Sequence, residues 1–209
     1  MKKLIPILVA VFAFSACEKQ PDSDKLEDGT LVLTEYQQGA NFSSFTTFYI
    51  PDSVLEINSI KGDTTFVKAD YAQAIRSAFI QNMSSRGYVN TTDKSSADLG
   101  IQISYAKASY YLPTIGAPWD YDAYWWPGYW HGGWRGYSWY YPYAVTYSYH
   151  VGSIIADMIN LKGAALSGKL PIIWNAYISG LILPNGGLNT SKAQAGISQA
   201  FMQSSYIKK

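Results

Sequence analysis

Residues 145–183, VTYSYHVGSIIADMINLKGAALSGKLPIIWNAYISGLIL, decide the fold. Two runs dominated by apolar and β-branched residues, 145–161 and 170–183, flank the small-residue segment 163–168. Such runs bounded by glycine read as strands joined by a turn. The first is long enough to need a bend near Gly152. In the second, Ile172, Trp174, Ala176 and Ile178 alternate onto one face, which is expected to be core, with Trp174 inside it.

Working outward, residues 191–206 carry Ala193, Ile197, Ala200 and Phe201 at helical spacing, and Ser191 with Gln194 resembles a capping box. A second helix is expected over 70–86. There Ala72, Ile75, Phe79 and Met83 share a face, Asp70 with Gln73 fits an N-cap pair, and Gly87 suits the position after the last turn. Residues 30–36 (TLVLTEY), 45–50 (FTTFYI) and 97–103 (ADLGIQI) read as further strands. The order ββαβββα segregates helices from strands. It predicts an α+β domain: a mostly antiparallel sheet of about five strands with two helices on one face. Asp98, at a strand start, reads as a cap or turn residue. Asp157, if buried, needs a partner such as Lys162 or a backbone donor.

The N-terminus adds an address. Lys2 and Lys3 precede an apolar run from Leu4 to Phe14, followed by Ser15, Ala16 and the only cysteine of the chain, Cys17. The run is shorter than the roughly 20 residues of a membrane-spanning helix, and its pattern is that of a secretory signal with a small-residue cleavage site. Phe14-Ser15-Ala16-Cys17 resembles a bacterial lipobox, which implies diacylglycerol on the thiol and a new N-terminus there. A single thiol has no internal disulfide partner in an oxidising compartment, and lipidation consumes it. The expected organisation is a signal peptide over 1–16, a lipidated start and polar, mildly acidic tether over 17–29, and one domain over 30–209. The location follows as the cell envelope, lipid-anchored, at the outer membrane.

Charge narrows the partners. The formal net charge of +1 includes Lys2 and Lys3, so the mature chain carries −1. Nucleic-acid binding needs clustered Lys and Arg, and this chain has no such cluster. The bilayer would be engaged through acyl chains on Cys17.

The motifs, in order, resemble the domain-of-unknown-function 4136 family of bacterial envelope lipoproteins. Residues 43–49 (SSFTTFY) are similar to its opening strand, Arg86-Gly87-Tyr88 to its helix-ending "kGY", and 97–105 (ADLGIQISY) to its "ADl.i.i.y" strand. Residues 152–160 (GSIIADMIN), 172–180 (IIWNAYISG) and the pair Ile197 and Phe201 match the remaining elements. The family's closing "[YF]P" is replaced by Ser205-Tyr206-Ile207. The resemblance spans about residues 31–206. It implies an α+β lipoprotein of unknown activity and brings no catalytic residues.

Between the third and fourth strands lies an aromatic, Gly-rich insertion, about 107–143. Residues 119–149 hold six of the seven Trp and half of the Tyr. Long segments without periodicity in compact domains are usually functional or disordered. Three readings stand: rings closing a satellite core, a binding surface, or insertion at a membrane interface. For the binding surface the candidates are Trp119, Tyr121, Trp125, Trp126, Trp130, Trp134 and Trp139, with cell-wall polysaccharide or an envelope protein as partner. Asp120, Asp122, His131 and His150 form a conceivable metal set, but no two share a helical face, and no metal or cofactor is expected. Cys17 is consumed and no G-x-S-x-G is present, so no catalytic residue is assigned. The expectation is a non-catalytic binding or assembly module. The alternative is a hydrolase of envelope polysaccharide using Asp120 or Asp122.

Overall fold

The computed structural model describes residues 29–57, 65–106, 138–140, 142, 150–162, 169–183 and 185–209. In chain order they form β1 (Leu31–Tyr36), β2 (Thr47–Tyr49), β3 (Leu55–Ile57), β4 (Thr65–Phe66) and α1 (Ala69–Ser85). Then follow β5 (Val89–Asn90), β6 (Leu99–Ala106), β7 (Ser138–Tyr140), β8 (Ser153–Asn160), β9 (Lys169–Ser179) and α2 (Thr190–Gln203). The α+β class holds. The sheet, however, is mixed, with nine described strands rather than about five mostly antiparallel ones.

Its centre is antiparallel, in the order β1-β9-β8-β6. Beyond β6 the pairing changes sense. Both β2 and β3 run parallel to β6, one beside Leu99 and Gly100 and the other beside Ser104 to Ala106. On the far side of β2, β5 is parallel as well. The reason is connectivity: parallel neighbours need a crossover, usually a helix, and α1 lies between β2 and β5 in the chain. The sequence pattern shows the helix but not the strand direction it imposes.

One face of the sheet carries Leu99, Ile101 and Ile103 of β6, Ile154, Ala156 and Met158 of β8, and Trp174, Ala176 and Ile178 of β9, all buried. The expected stripes of α1 and α2 close onto it, with Ile75, Phe79, Met83, Ile197 and Phe201 fully buried. Each such side chain contributes on the order of 1.5–3 kcal/mol of transfer free energy. One residue departs from the expected alternation. Met158 pairs with Trp174 but Ile159 with Ile172, so a bulge turns Ile173 toward the helices and Ile172 toward the opposite face.

The helix ends show which local signals won. Gly87 has φ +92°, its N–H reaches Ser84 O at 3.0 Å, and the Tyr88 N–H reaches Met83 O at 3.3 Å. That is a Schellman closure, with Tyr88 and Met83 both buried in the core beneath it. The N-caps differ from expectation. Lys68, without a side-chain cap bond, precedes α1, leaving Asp70 in the first turn, where it favours the helix dipole. For α2 the cap is Asn189, whose Oδ1 accepts from the Lys192 N–H at 3.0 Å, in place of Ser191.

Candidate functional site

The aromatic insertion leaves the sheet at the end of β6 and returns at the start of β8. Those two points are neighbours: Ala106 is paired with Ser153, and the Gly152 N–H donates to Ala106 O at 2.8 Å. Gly152 sits in the turn before β8, where a bend was expected. Tyr177 of β9 fastens the junction from the next strand. Its buried hydroxyl accepts from Ser153 Oγ at 2.9 Å and from the His150 backbone N–H at 3.2 Å. Within the insertion's C-terminal part, β7 adds to β9 in parallel, with Trp139 opposite Leu170.

Of the candidate surface residues, Trp139 therefore has its backbone on the sheet. Cys17, Trp119, Tyr121, Trp125, Trp126, Trp130 and Trp134 lie outside the described residues, as do Asp120, Asp122 and His131. His150 is exposed beside Gly152. No group of three or more His, Cys, Asp or Glu placed to hold a metal ion occurs among the described residues.

A feature that the sequence reading missed crosses the face opposite the helices. Glu35, Asn175, Asp157 and Gln102 stand in register on β1, β9, β8 and β6. They break into predominantly apolar strands, and Asn175 and Gln102 are buried. Asn175 Nδ2 donates to Asp157 Oδ1, and Gln102 Nε2 donates to Ile103 O at 3.0 Å. The amide oxygens Asn175 Oδ1 and Gln102 Oε1 find no partner among the described residues. A buried acceptor left unpaired costs about 1–3 kcal/mol. The signal that would have found it is a polar residue at the same-face centre of each long strand.

Burial raises the Glu35 carboxyl above its ordinary value of 4.5. The folded state thus holds the proton to a higher pH than the unfolded chain, and the penalty for ionising Glu35 is present above the folded value and gone below 4.5. Glu35→Gln is accordingly expected to stabilise the domain at neutral pH by less than about 1 kcal/mol, because a partly exposed carboxylate is screened by solvent. The gain should vanish in acid, and melting curves of both proteins across pH 3–8 check it.

Asp157 finds Asn175 rather than Lys162. Lys162 Nζ lies instead 3.2 Å from Ser44 O and 3.9 Å from Asp98 Oδ1. Asp98 is structural, as expected at a strand start. Its Oδ2 accepts from the Thr46 and Thr47 N–H groups at 2.7 and 3.4 Å, and its own N–H donates to Thr47 Oγ1 at 3.0 Å. These bonds splice β2 to the entry of β6.

A family model described as a domain of unknown function, DUF4136, matches residues 32–204. Among solved structures, the chain is similar to a DUF4136 family protein from Bacteroides thetaiotaomicron VPI-5482, at TM-score 0.67 and 36% identity. That match covers 86% of this chain and 97% of the other. A PelC dodecamer from Paraburkholderia phytofirmans gives TM-score 0.41 and 10% identity, covering 86% and 98% of the two chains. No curated protein matches. Sequence and fold agree, and the chain belongs to the DUF4136 family.

Proposed function

We propose that this protein is a non-catalytic binding or assembly module of the cell envelope, anchored at the outer membrane through acyl chains on Cys17, with the aromatic insertion as its contact surface. The observation that carries this reading is the root of the insertion. Both ends leave adjacent, hydrogen-bonded strands, and buried Tyr177 ties the returning end to β9. Binding residues are commonly carried on segments rooted in a rigid scaffold. Tyr and Trp add large, amphipathic contact area at small entropic cost. The ligand class is cell-wall polysaccharide, whose sugar faces stack on aromatic rings, or an envelope protein.

The test compares the full chain with a variant carrying alanine at Trp119, Trp125, Trp126, Trp130 and Trp134. Crosslinking in the native envelope and co-sedimentation with purified cell wall should both fall at least tenfold for the variant. Its melting temperature should stay within a few degrees of the parent. Unchanged capture by wall and by every crosslinked partner would sink the binding reading, and collapse of the fold would assign the rings to a satellite core. Release of soluble saccharide from the wall, abolished by Asp120→Asn or Asp122→Asn, would replace the module with a hydrolase.

A further inference from the structure

A cleft of about 290 Å³ opens beside the loop after β1, where that loop meets the ends of β8 and β9. Gln37, Asn41, Asn160 and Lys162 supply its polar lining, over Ala40, Phe45 and Ile173. What distinguishes it is how hydrogen bonds within the protein have been spent. Asn41 Oδ1 accepts from Ser43 Oγ at 2.7 Å, and Asn160 Oδ1 accepts from the Lys162 N–H at 3.0 Å. Ser44 Oγ donates to Asn41 O at 2.7 Å. The side-chain acceptors of both asparagines are therefore engaged, while their NH₂ groups have no partner among the described residues. The Gln37 side-chain amide makes no hydrogen bond among the described residues. Lys162 uses one of its three donors on Ser44 O at 3.2 Å, and Asp98 Oδ1 stands off at 3.9 Å.

The cleft thus presents mainly donors, with the Gln37 amide oxygen as an acceptor among them. The geometry points to a binding site for a singly charged carboxylate carried on a body about the size of one sugar ring. One ammonium, already near a carboxylate, suits one negative charge better than the two of a phosphate monoester, because a second charge would face Asp98 uncompensated. Neutral amide donors suit carboxylate or hydroxyl oxygens. The volume sits near the lower bound of roughly 300 Å³ for ligand pockets, which fits a single ring or one amino-acid unit. Buried Phe45 and Ile173 leave an apolar floor for its carbon face. This site is separate from the aromatic insertion, and its fate does not depend on the function proposed above.

Titrations of the full chain in detergent micelles, read by backbone amide shifts at Ala40, Asn41, Ser44 and Lys162, test it with four probes: glucuronate, N-acetylalanine, glucose and inorganic phosphate. At least one of the two carboxylates should shift these signals saturably, and whichever binds tighter identifies a saccharide or a peptide source. Lys162→Ala and Gln37→Glu should each weaken that binding about tenfold. Gln37→Glu removes no side-chain hydrogen bond among the described residues, so its effect reads the ligand and not stability. The proposal is overturned by glucose or phosphate binding as tightly as the carboxylates, by carboxylate binding that both variants leave unchanged, or by four silent titrations.

Discussion

Trp174→Ala is expected to cost about 3–5 kcal/mol, a large share of the roughly 5–15 kcal/mol that holds a typical domain folded. The indole is fully buried at the centre of β9, between the sheet and the helices. Its ring centroid lies 5.4 Å from that of Phe201, which in turn meets Phe79 edge-on at 5.8 Å. Its Nε1 donates to the buried Ser204 Oγ at 2.8 Å, just past the end of α2. Alanine would remove the ring and leave that hydroxyl with only the longer bond from the Tyr206 hydroxyl, at 3.3 Å. At roughly 2–4 °C per kcal/mol for a chain of this size, the melting temperature should fall by about 6–20 °C. Trp174→Phe separates the two contributions. It keeps most of the ring and loses the bond, so a loss near 1–2 kcal/mol is expected. Urea denaturation of the three proteins checks the ranking, and an alanine variant within 1 kcal/mol of the parent would remove Trp174 from the core.

Trp174 also shows how far the sequence could be read. Long elements with a clean period were legible: the stripes of both helices, β8 as a strand, and β9 with Trp174, Ala176 and Ile178 on its core face. Elements of two or three residues carry too few positions to show any period, so β3, β4, β5 and β7 were not legible and β2 was found only through the β-branched and aromatic composition of 45–50. Helix starts failed for a different reason. Asn189, Thr190 and Ser191 are three successive cap formers, and only the backbone angles at Asn189 choose among them. Ile172 was assigned to the wrong face because a bulge adds a residue without leaving a mark in composition. The need of Asp157 for a partner was legible, but its identity was not. A cross-strand neighbour is fixed by register, and register placed Asn175 beside Asp157 while taking Lys162 toward Asp98. The donor-lined cleft was hidden on the same ground, since residues 37–45 and 160–162 meet only once the strands have paired.

Gly180→Ala is the second large effect, and its mechanism is backbone rather than packing. Gly180 follows the last residue of β9 with φ +82°, in the left-handed region where an L side chain costs roughly 1–2 kcal/mol. Space is the harder constraint. A Cβ there would stand 2.0 Å from the carbonyl oxygen of Gly29 and 3.2 Å from Thr30 Cα, both backbone atoms of the segment that enters β1. No rotamer relieves such a contact, so the chain around Gly29 must move away from β9. The nearest rung, Leu31 opposite Ser179, should yield first, while the pairs from Thr34 to Tyr36 keep their register. A loss of about 2–4 kcal/mol is expected, with hydrogen exchange accelerated at the first residues of β1 and unchanged in β8. Equal protection of Leu31 and Leu33 in variant and parent would show that the close approach of Gly180 to Gly29 does not constrain the strand. In the lipid-anchored reading, Gly29 is where the tether from Cys17 meets the folded domain. Gly180→Ala would then lengthen the tether by the residues freed from β1 and leave the lipidation sequence untouched. Anchoring and reach are thereby separable: fractionation with membranes should be unchanged, while crosslinks that depend on distance from the bilayer should shift.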